Sequence, residues 1–170
     1  PTSGIGNFSV IIYWRLMHGL STIIMDYNQR SQHIIENMIT MIEIDYENIQ
    51  KTKQIFKLID KHSQLHIINT DFLTYASEIQ YDIIVSNPPY NINGNKRKGQ
   101  KHVYVFFVVK MLQFLVTKGL LLVIHPSTYR LGNYTIRGTR INLNEIYTTY
   151  QLHMICMYST IQTYELMGVQ

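Results

Sequence analysis

The residues best suited to chemistry are Asn87-Pro88-Pro89-Tyr90, which follow a short β-branched, apolar run at residues 81–85. That run has the length of a buried strand. Pro88 and Pro89 cannot donate a backbone N–H to a sheet, so the chain must leave the strand abruptly here. Asn87 and Tyr90 are therefore expected at the carboxyl end of a strand, where open α/β sheets bind ligands. An amide beside an aromatic ring suits a flat substrate with an exocyclic amine.

Three further segments place polar residues or glycines next to predicted strands or helices. Residues 3–7 form a loop in which Gly4 and Gly6 allow positive φ and a close approach of a ligand. Glu43 ends an apolar run, and its carboxylate offers only acceptors, which suits binding to two hydroxyl groups. Asp71 and Phe72 follow another apolar run. Simpler interpretations exist for each segment, because such glycines cap helices, and acidic residues after strands often form turns or N-caps.

Taken in chain order, these motifs resemble those of the S-adenosylmethionine (SAM)-dependent amino-methyltransferases, and the best match is the N6-adenine DNA methyltransferases. Asn87-Pro88-Pro89-Tyr90 resembles the catalytic motif, and residues 1–8 resemble the glycine-rich first motif. Glu43-Ile44-Asp45 and Asp71-Phe72 resemble the acidic second and third motifs. Residues 120–129 are similar to a segment of the methylases of bifunctional restriction-modification enzymes.

The resemblance implies methyl transfer from SAM to the N6 amine of adenine in DNA, with the target base flipped out of the duplex. The Asn87 side-chain carbonyl and the Pro88 main-chain carbonyl would accept hydrogen bonds from the amine, and Tyr90 would stack on the base. Pro89 is the remaining member of the implied catalytic motif. The same motif also occurs in methyltransferases that act on a glutamine amide of release factors or on ribosomal RNA bases. A third interpretation is a methyltransferase-like fragment without activity.

The resemblance also implies a set of cofactor-binding residues. Glu43 would bind the ribose hydroxyls of SAM, Asp71 would accept from the adenine amino group, and Phe72 would pack on the adenine ring. The complete implied set is Pro1, Thr2, Ser3, Gly4, Gly6, Glu43, Asp71 and Phe72.

Alternating helices and strands predict a doubly wound, mostly parallel α/β sheet, and the resemblance makes this the Rossmann-like SAM-methyltransferase fold. Predicted helices are 8–18, 29–38, 46–59, 103–117 and 144–150. Predicted strands are 38–43, 65–69, 81–85, 120–125 and 151–157. The run at 120–125 is fully apolar, so it is expected to be covered on both faces.

The chain starts at Pro1, inside the glycine-rich motif, and ends at Gln170, before the sequence pattern of the resembling family is complete. We interpret residues 1–170 as one partial catalytic domain, truncated at both ends. In the resembling fold, the first strand lies between the second and the fourth. That strand and a target-recognition domain are expected to lie outside this sequence.

Two groups of basic residues are candidates for contact with DNA phosphates. One follows the catalytic motif: Lys96, Arg97, Lys98 and Lys101. The other comprises Arg130, Arg137 and Arg140. A solvated loop explains the first group equally well, and surface arginines often have no special role.

Composition agrees with a folded domain and limits the other classes of function. The chain has 170 residues, of which 46% are hydrophobic and 15% charged. Its net charge of +4 permits nucleic-acid binding. The single cysteine, Cys156, cannot form an internal disulfide, which favours a reducing, cytoplasmic compartment. Neither a membrane span nor a signal peptide is evident, and the seven histidines lack the spacing of metal ligands.

Overall fold

The computed structural model describes residues 1–90, 102–127, 133–136 and 139–150. The chain divides into two compact units, Pro1–His125 and Pro126–Gln170. The predicted strand at 151–157 lies outside the described residues.

The first unit alternates helices with short strands, as the sequence predicts. Its helices are α1 (Asn7–Gly19), α2 (Tyr27–His33), which continues into a π-helical turn (Ile34–Met38), α3 (Tyr46–Ile59) and α4 (Tyr104–Gln113). Its strands are β1 (Thr40–Glu43), β2 (His66–Asn69), β3 (Tyr81–Ser86) and β4 (Leu115–Val123).

Two parallel strand pairs form in this unit. β1 pairs with β2, with Glu43 opposite Asn69, and β3 pairs with β4, with Ser86 opposite Val123. Both pairs are parallel, as predicted for most of the sheet. In the described part of the chain, no ladder joins β1 to β3. The unit is thus a mixed α/β structure with short parallel strand pairs, which is compatible with a methyltransferase fold.

The helix α3 shows how local sequence sets an element and its orientation. Asp45 has extended backbone geometry, and its side chain accepts a hydrogen bond from the Glu47 N–H, which caps the helix. Ile49 and Phe56 then fall on one buried face. That face joins the core cluster, whose buried members are Tyr13, Met17, Ile34, Ile35, Ile39, Met41 and Phe56.

The helix α4 ends earlier than predicted. It stops at Gln113 instead of continuing to residue 117, and the following residues belong to β4. The physical reason is strand pairing, because Tyr81 donates its N–H to the Phe114 carbonyl and pairs with Leu115. The register then shifts at a bulge. Between the first two paired positions, β3 advances two residues, from Tyr81 to Ile83, whereas β4 advances five, from Leu115 to Leu120.

The strand β4 is not covered on both faces, which corrects the prediction for this apolar run. Leu120 is 47% exposed and Leu122 is 53% exposed. Alternate side chains of a strand point to opposite faces. Leu121 and Val123, on the other face, are half-buried, so the two faces of β4 are covered unequally and neither is fully buried.

The second unit contains a hairpin and a short helix among its described residues. β5 (Asn133–Ile136) pairs antiparallel with β6 (Thr139–Asn142). The Asn142 side chain then caps α5 (Leu143–Thr149) by accepting from the backbone N–H groups of Asn144 and Glu145. This helix agrees with the predicted one at 144–150. No helix within the described ranges combines the length and hydrophobicity needed to cross a membrane.

A polar network around Asp60 links the end of α3 to α2. Asp60 accepts from the hydroxyls of Ser31 and Ser63 and from the backbone N–H of His62, and Ser31 also bonds the buried Tyr13 hydroxyl. The Ser63 hydroxyl is the main cause that lowers the pKa of Asp60 to about 2.

This network predicts an acid-dependent contribution to stability. Because the folded-state pKa is depressed, the contribution is present above the ordinary value of 3.8 and is lost as pH falls towards about 2. Asp60→Asn is therefore expected to lower the free energy of unfolding at neutral pH and to have less effect near pH 2. Urea unfolding across this pH range measures the difference. A Glu78→Gln variant, at an exposed position, controls for the change in net charge. A constant gap between wild type and Asp60→Asn at all pH values would contradict the prediction.

Candidate active site

The glycine-rich loop at the start of the chain lies between the ends of β1 and β3. Ser3 donates its backbone N–H to the Ile42 carbonyl at 3.2 Å. The neighbouring Glu43 carbonyl accepts from Thr70, on the β2 side. Carbonyls of successive strand residues point to opposite edges. Ser3 therefore contacts the edge of β1 that faces away from β2.

The other side of the loop contacts the end of β3. The Thr2 hydroxyl lies 3.0 Å from the Ser86 hydroxyl and 3.5 Å from the Asn87 carbonyl oxygen. Ser86 is 1% exposed, and its hydroxyl donates to the Pro1 carbonyl at 3.1 Å. Pro1 and Thr2, both predicted cofactor residues, are thus adjacent to the predicted catalytic strand end.

Glu43 occupies its predicted place at the carboxyl end of a strand. The side chain is 7% exposed. Its Oε2 accepts from the Gly4 N–H at 2.7 Å, and its Oε1 accepts from the Asp45 N–H at 3.0 Å. Each carboxylate oxygen has two lone-pair directions. The group can therefore bind the loop and still accept from a ligand hydroxyl.

Thr52 on α3 supports the glycine loop and was not predicted as a site residue. It is fully buried, and its hydroxyl lies 3.2 Å from the Gly4 carbonyl and 2.9 Å from the Asn48 carbonyl, to either of which it can donate its one hydrogen. Gly6 has φ +87°, and a Cβ there would lie 2.9 Å from the Thr52 methyl carbon. The available signal was a threonine within the apolar stripe of α3.

Gly6→Ala is expected to destabilise the protein by about 1–3 kcal/mol, through left-handed strain and the collision with Thr52. Gly19→Ala is the matched control, because a Cβ at Gly19 meets nothing within 4 Å. Denaturant unfolding of both variants measures the difference. Equal stability of the two variants would show that the loop relaxes around a side chain at Gly6.

Asp71 and Phe72 follow β2 and form a tight turn. Asp71 Oδ1 accepts from the Leu73 N–H at 2.9 Å, and the Asp71 carbonyl accepts from the N–H groups of Thr74 and Tyr75. Asn69 connects this region to β1, because its Nδ2 donates to the Glu43 and Ile44 carbonyls. Asn69 is a further residue that sequence reasoning missed, although an amide at a strand end is a usable signal.

Phe72 is mainly a packing residue in this structure. It is 5% exposed, and its ring lies 5.8 Å from each of the rings of Phe107 and Phe114. Its predicted contact with an adenine ring stays a prediction.

The Asn87-Pro88-Pro89-Tyr90 turn has an internal hydrogen bond. The Tyr90 hydroxyl donates to Asn87 Oδ1 at 3.1 Å, and the Tyr90 carbonyl accepts from the Val103 N–H. Burial raises the pKa of Tyr90, so the phenol is protonated at neutral pH and can donate. Pro88 is fully buried and Pro89 is exposed. The turn therefore has a buried support and an accessible side.

Aromatic rings at the start of α4 and the end of β4 support this turn. Tyr104 is fully buried, and its ring meets the Tyr90 ring edge-on at 6.5 Å. The His125 ring stacks on Tyr104 at 5.2 Å, with an interplanar angle of 11°. These ring contacts hold the Tyr90 side chain in position.

Only one of the predicted phosphate-contacting residues lies within the described part of the chain. Lys96, Arg97, Lys98 and Lys101 lie outside the described residues, as do Arg130 and Arg137. Arg140 is exposed on β6, in the second unit. Within the described ranges, no group of His, Cys, Asp or Glu side chains is arranged to bind a metal ion.

Comparison with protein families identifies the chain by its sequence. The family model described as Eco57I restriction-modification methylase matches residues 15–162. The chain belongs to this family. The methylase match includes Glu43, Asp71 and the Asn87–Tyr90 turn, whereas the glycine loop precedes it. No curated protein matches the chain.

Proposed function

We propose that this methylase transfers a methyl group from SAM to the N6 amine of adenine in DNA. One observation carries the proposal: the loop residues Thr2–Gly4 bond to Glu43 on one side and to the Ser86–Asn87 strand end on the other. A cofactor bound along this loop would lie next to the amide that orients the substrate. The proposal includes the doubly wound, Rossmann-like methyltransferase fold.

The residues around the loop fit SAM chemically. The Ser3 hydroxyl is buried, and among the described residues it has no hydrogen-bond partner. Glu43 has acceptor capacity for ribose hydroxyls, and the glycines give the loop the left-handed backbone at Gly4 and Gly6 that brings it close to β1. Asp71 would accept from the adenine amino group. When bound, SAM would supply an electrophilic methyl group on its sulfonium; as the N–CH3 bond forms, the S–CH3 bond breaks, S-adenosylhomocysteine leaves, and the amine releases its surplus proton to water after the transfer.

The turn at the end of β3 would orient the nucleophile. Asn87 Oδ1 and the Pro88 carbonyl would accept from the N6 amine, which directs the nitrogen lone pair as the amine moves towards tetrahedral geometry. The adenine must leave the duplex to reach these acceptors, and Tyr90 would stack on the flipped base. The Tyr90 hydroxyl orients the Asn87 amide, so that its oxygen is fixed before the base arrives.

Glu43→Ala is expected to weaken SAM binding by about 1–3 kcal/mol, the scale for losing hydrogen bonds to a charged group. Glu47→Ala, at an exposed position on α3, is the control and should leave affinity unchanged. Isothermal titration calorimetry with SAM measures both variants. If Glu43→Ala and wild type bound SAM with equal affinity, Glu43 would not be a cofactor-binding residue.

The reaction itself is tested by transfer of tritiated methyl groups from SAM to mixed-sequence DNA by the full-length protein. Mass spectrometry of the digested nucleosides identifies the product. N6-methyladenine is the expected result. Methylation confined to a glutamine amide of a release factor, or to ribosomal RNA, would overturn the DNA assignment.

A further inference from the structure

Lys110 is an unusual residue within α4. It is the one charged residue of a helix whose other members include the buried Val105, Phe107, Val108 and Met111. Lys110 is half-buried, and a lysine among such residues packs its alkyl chain against them and extends its ammonium towards polar groups. A polar partner near the end of its side chain is therefore expected.

That partner is the turn that follows β2. Lys110 Nζ donates to the Leu73 carbonyl at 2.7 Å and lies 5.7 Å from the centroid of the Phe72 ring. This distance is within the range of a cation–π contact. Burial lowers the pKa of Lys110, and the negative charge of Asp71 opposes that shift. The ammonium thus contacts or faces three consecutive residues of the turn.

The same turn leaves one oxygen of Asp71 available. Oδ1 accepts from the Leu73 N–H, whereas Oδ2 accepts no hydrogen bond from the residues that the structure describes. Leu73 is thus fixed at both ends of its backbone, by Asp71 at its N–H and by Lys110 at its carbonyl. Without the Lys110 ammonium, the Leu73 carbonyl would lose its hydrogen bond. Leu73, whose N–H is bonded to Asp71 Oδ1, could then move.

We propose that Lys110 is a positioning residue, which holds the Asp71 turn so that Oδ2 accepts from the amino group of the cofactor's adenine. The inference rests on the proposed function, because it assumes that an adenosyl ligand binds beside this turn. It assigns to α4, which also supports Tyr90, a second role at the cofactor site. Lys110 itself does not contact the ligand.

The test compares two ligands that differ at the purine 6-position: S-adenosylhomocysteine, which has the amino group, and S-inosylhomocysteine, which has an oxygen instead. Wild type is expected to prefer the adenosyl ligand by more than about tenfold, since the Asp71 carboxylate repels the inosine oxygen. Lys110→Met keeps the alkyl chain and removes the charge. It should reduce this preference by about fivefold or more. Lys110→Arg should preserve the preference, and Lys57→Met, at an exposed position on α3, is the matched control.

The outcomes separate this inference from the proposed function. If wild type binds neither ligand, the SAM proposal fails. If wild type binds both equally, or if Lys110→Met keeps the full preference, the role of Lys110 is overturned while cofactor binding stands. If Lys110 had only a structural role, Lys110→Met would weaken the binding of both ligands by the same factor. That result would also overturn the inference. Circular dichroism melts check folding, and Lys110→Gln replaces the methionine variant if that variant does not fold.

Discussion

Asn87→Ala is expected to lower kcat by a factor on the order of 10²–10³, with the affinity for SAM nearly unchanged. The reason is geometric. Asn87 follows directly after β3, and its amide oxygen is oriented by the Tyr90 hydroxyl at 3.1 Å. Without that acceptor, the amine loses the group that directs its lone pair, whereas the contact of Asn87 with the glycine loop, from the Thr2 hydroxyl, is to its main-chain carbonyl and survives the substitution.

Steady-state methyl transfer and SAM titration on the same preparations separate the two effects. Asn28→Ala, at an exposed position on α2, is the matched control and should retain wild-type kcat. If Asn87→Ala kept full activity on DNA, release factor and RNA substrates, the turn after β3 would have only a structural role. Loss of SAM affinity in parallel with kcat would instead indicate a collapsed site.

Tyr90→Ala is expected to weaken capture of the target base by about 1–3 kcal/mol, the value of one stacking contact. The loss should fall mainly on KM for DNA. Tyr46→Ala is the control, since Tyr46 is 63% exposed at the start of α3. A Tyr90→Ala variant with unchanged KM would show that the base stacks elsewhere.

Tyr90→Phe distinguishes the ring from the hydroxyl. The phenyl ring keeps the stacking surface and the edge contact with Tyr104, but it cannot donate to Asn87. We expect KM close to wild type and a decrease in kcat of only a few fold, far less than in Asn87→Ala. A loss as large as that of Tyr90→Ala would show that the hydroxyl, and not the stacking face, is the important group.

Local chemistry explains which elements could be predicted. The helix α3 runs from Tyr46 to Ile59, as the Asp45 cap and the spacing of its apolar residues indicate. The end of α4 could not be predicted in the same way. Residues 114–117 are apolar or β-branched and suit either a helix or a strand, and pairing with Tyr81 decides the outcome.

The hairpin of β5 and β6 was missed for a different reason. Residues 137 and 138, between the two strands, are Arg and Gly, and a two-residue connection with glycine is a usable hairpin signal. The strands themselves are short and polar, so their periodicity is weak.

At the candidate site, motifs predicted the residues that end strands, and the structure places Glu43 and Asn87 at such ends. Motifs could not predict Thr52 or Lys110. Both lie on helices, and each acts through a side-chain bond to a distant carbonyl, at Gly4 and Leu73. Contacts of this kind depend on tertiary packing, which the spacing of residues along the chain does not encode.

The bonds of Ser3 and Gly4 make this loop measurable by amide hydrogen exchange. Loop amides usually exchange quickly, but these two donate to the Ile42 carbonyl and to Glu43 Oε2. Each can exchange with solvent only when the loop separates from β1. The protection of two backbone amides therefore reports how often the space between the strand ends opens, and a ligand bound there would slow their exchange in proportion to its occupancy.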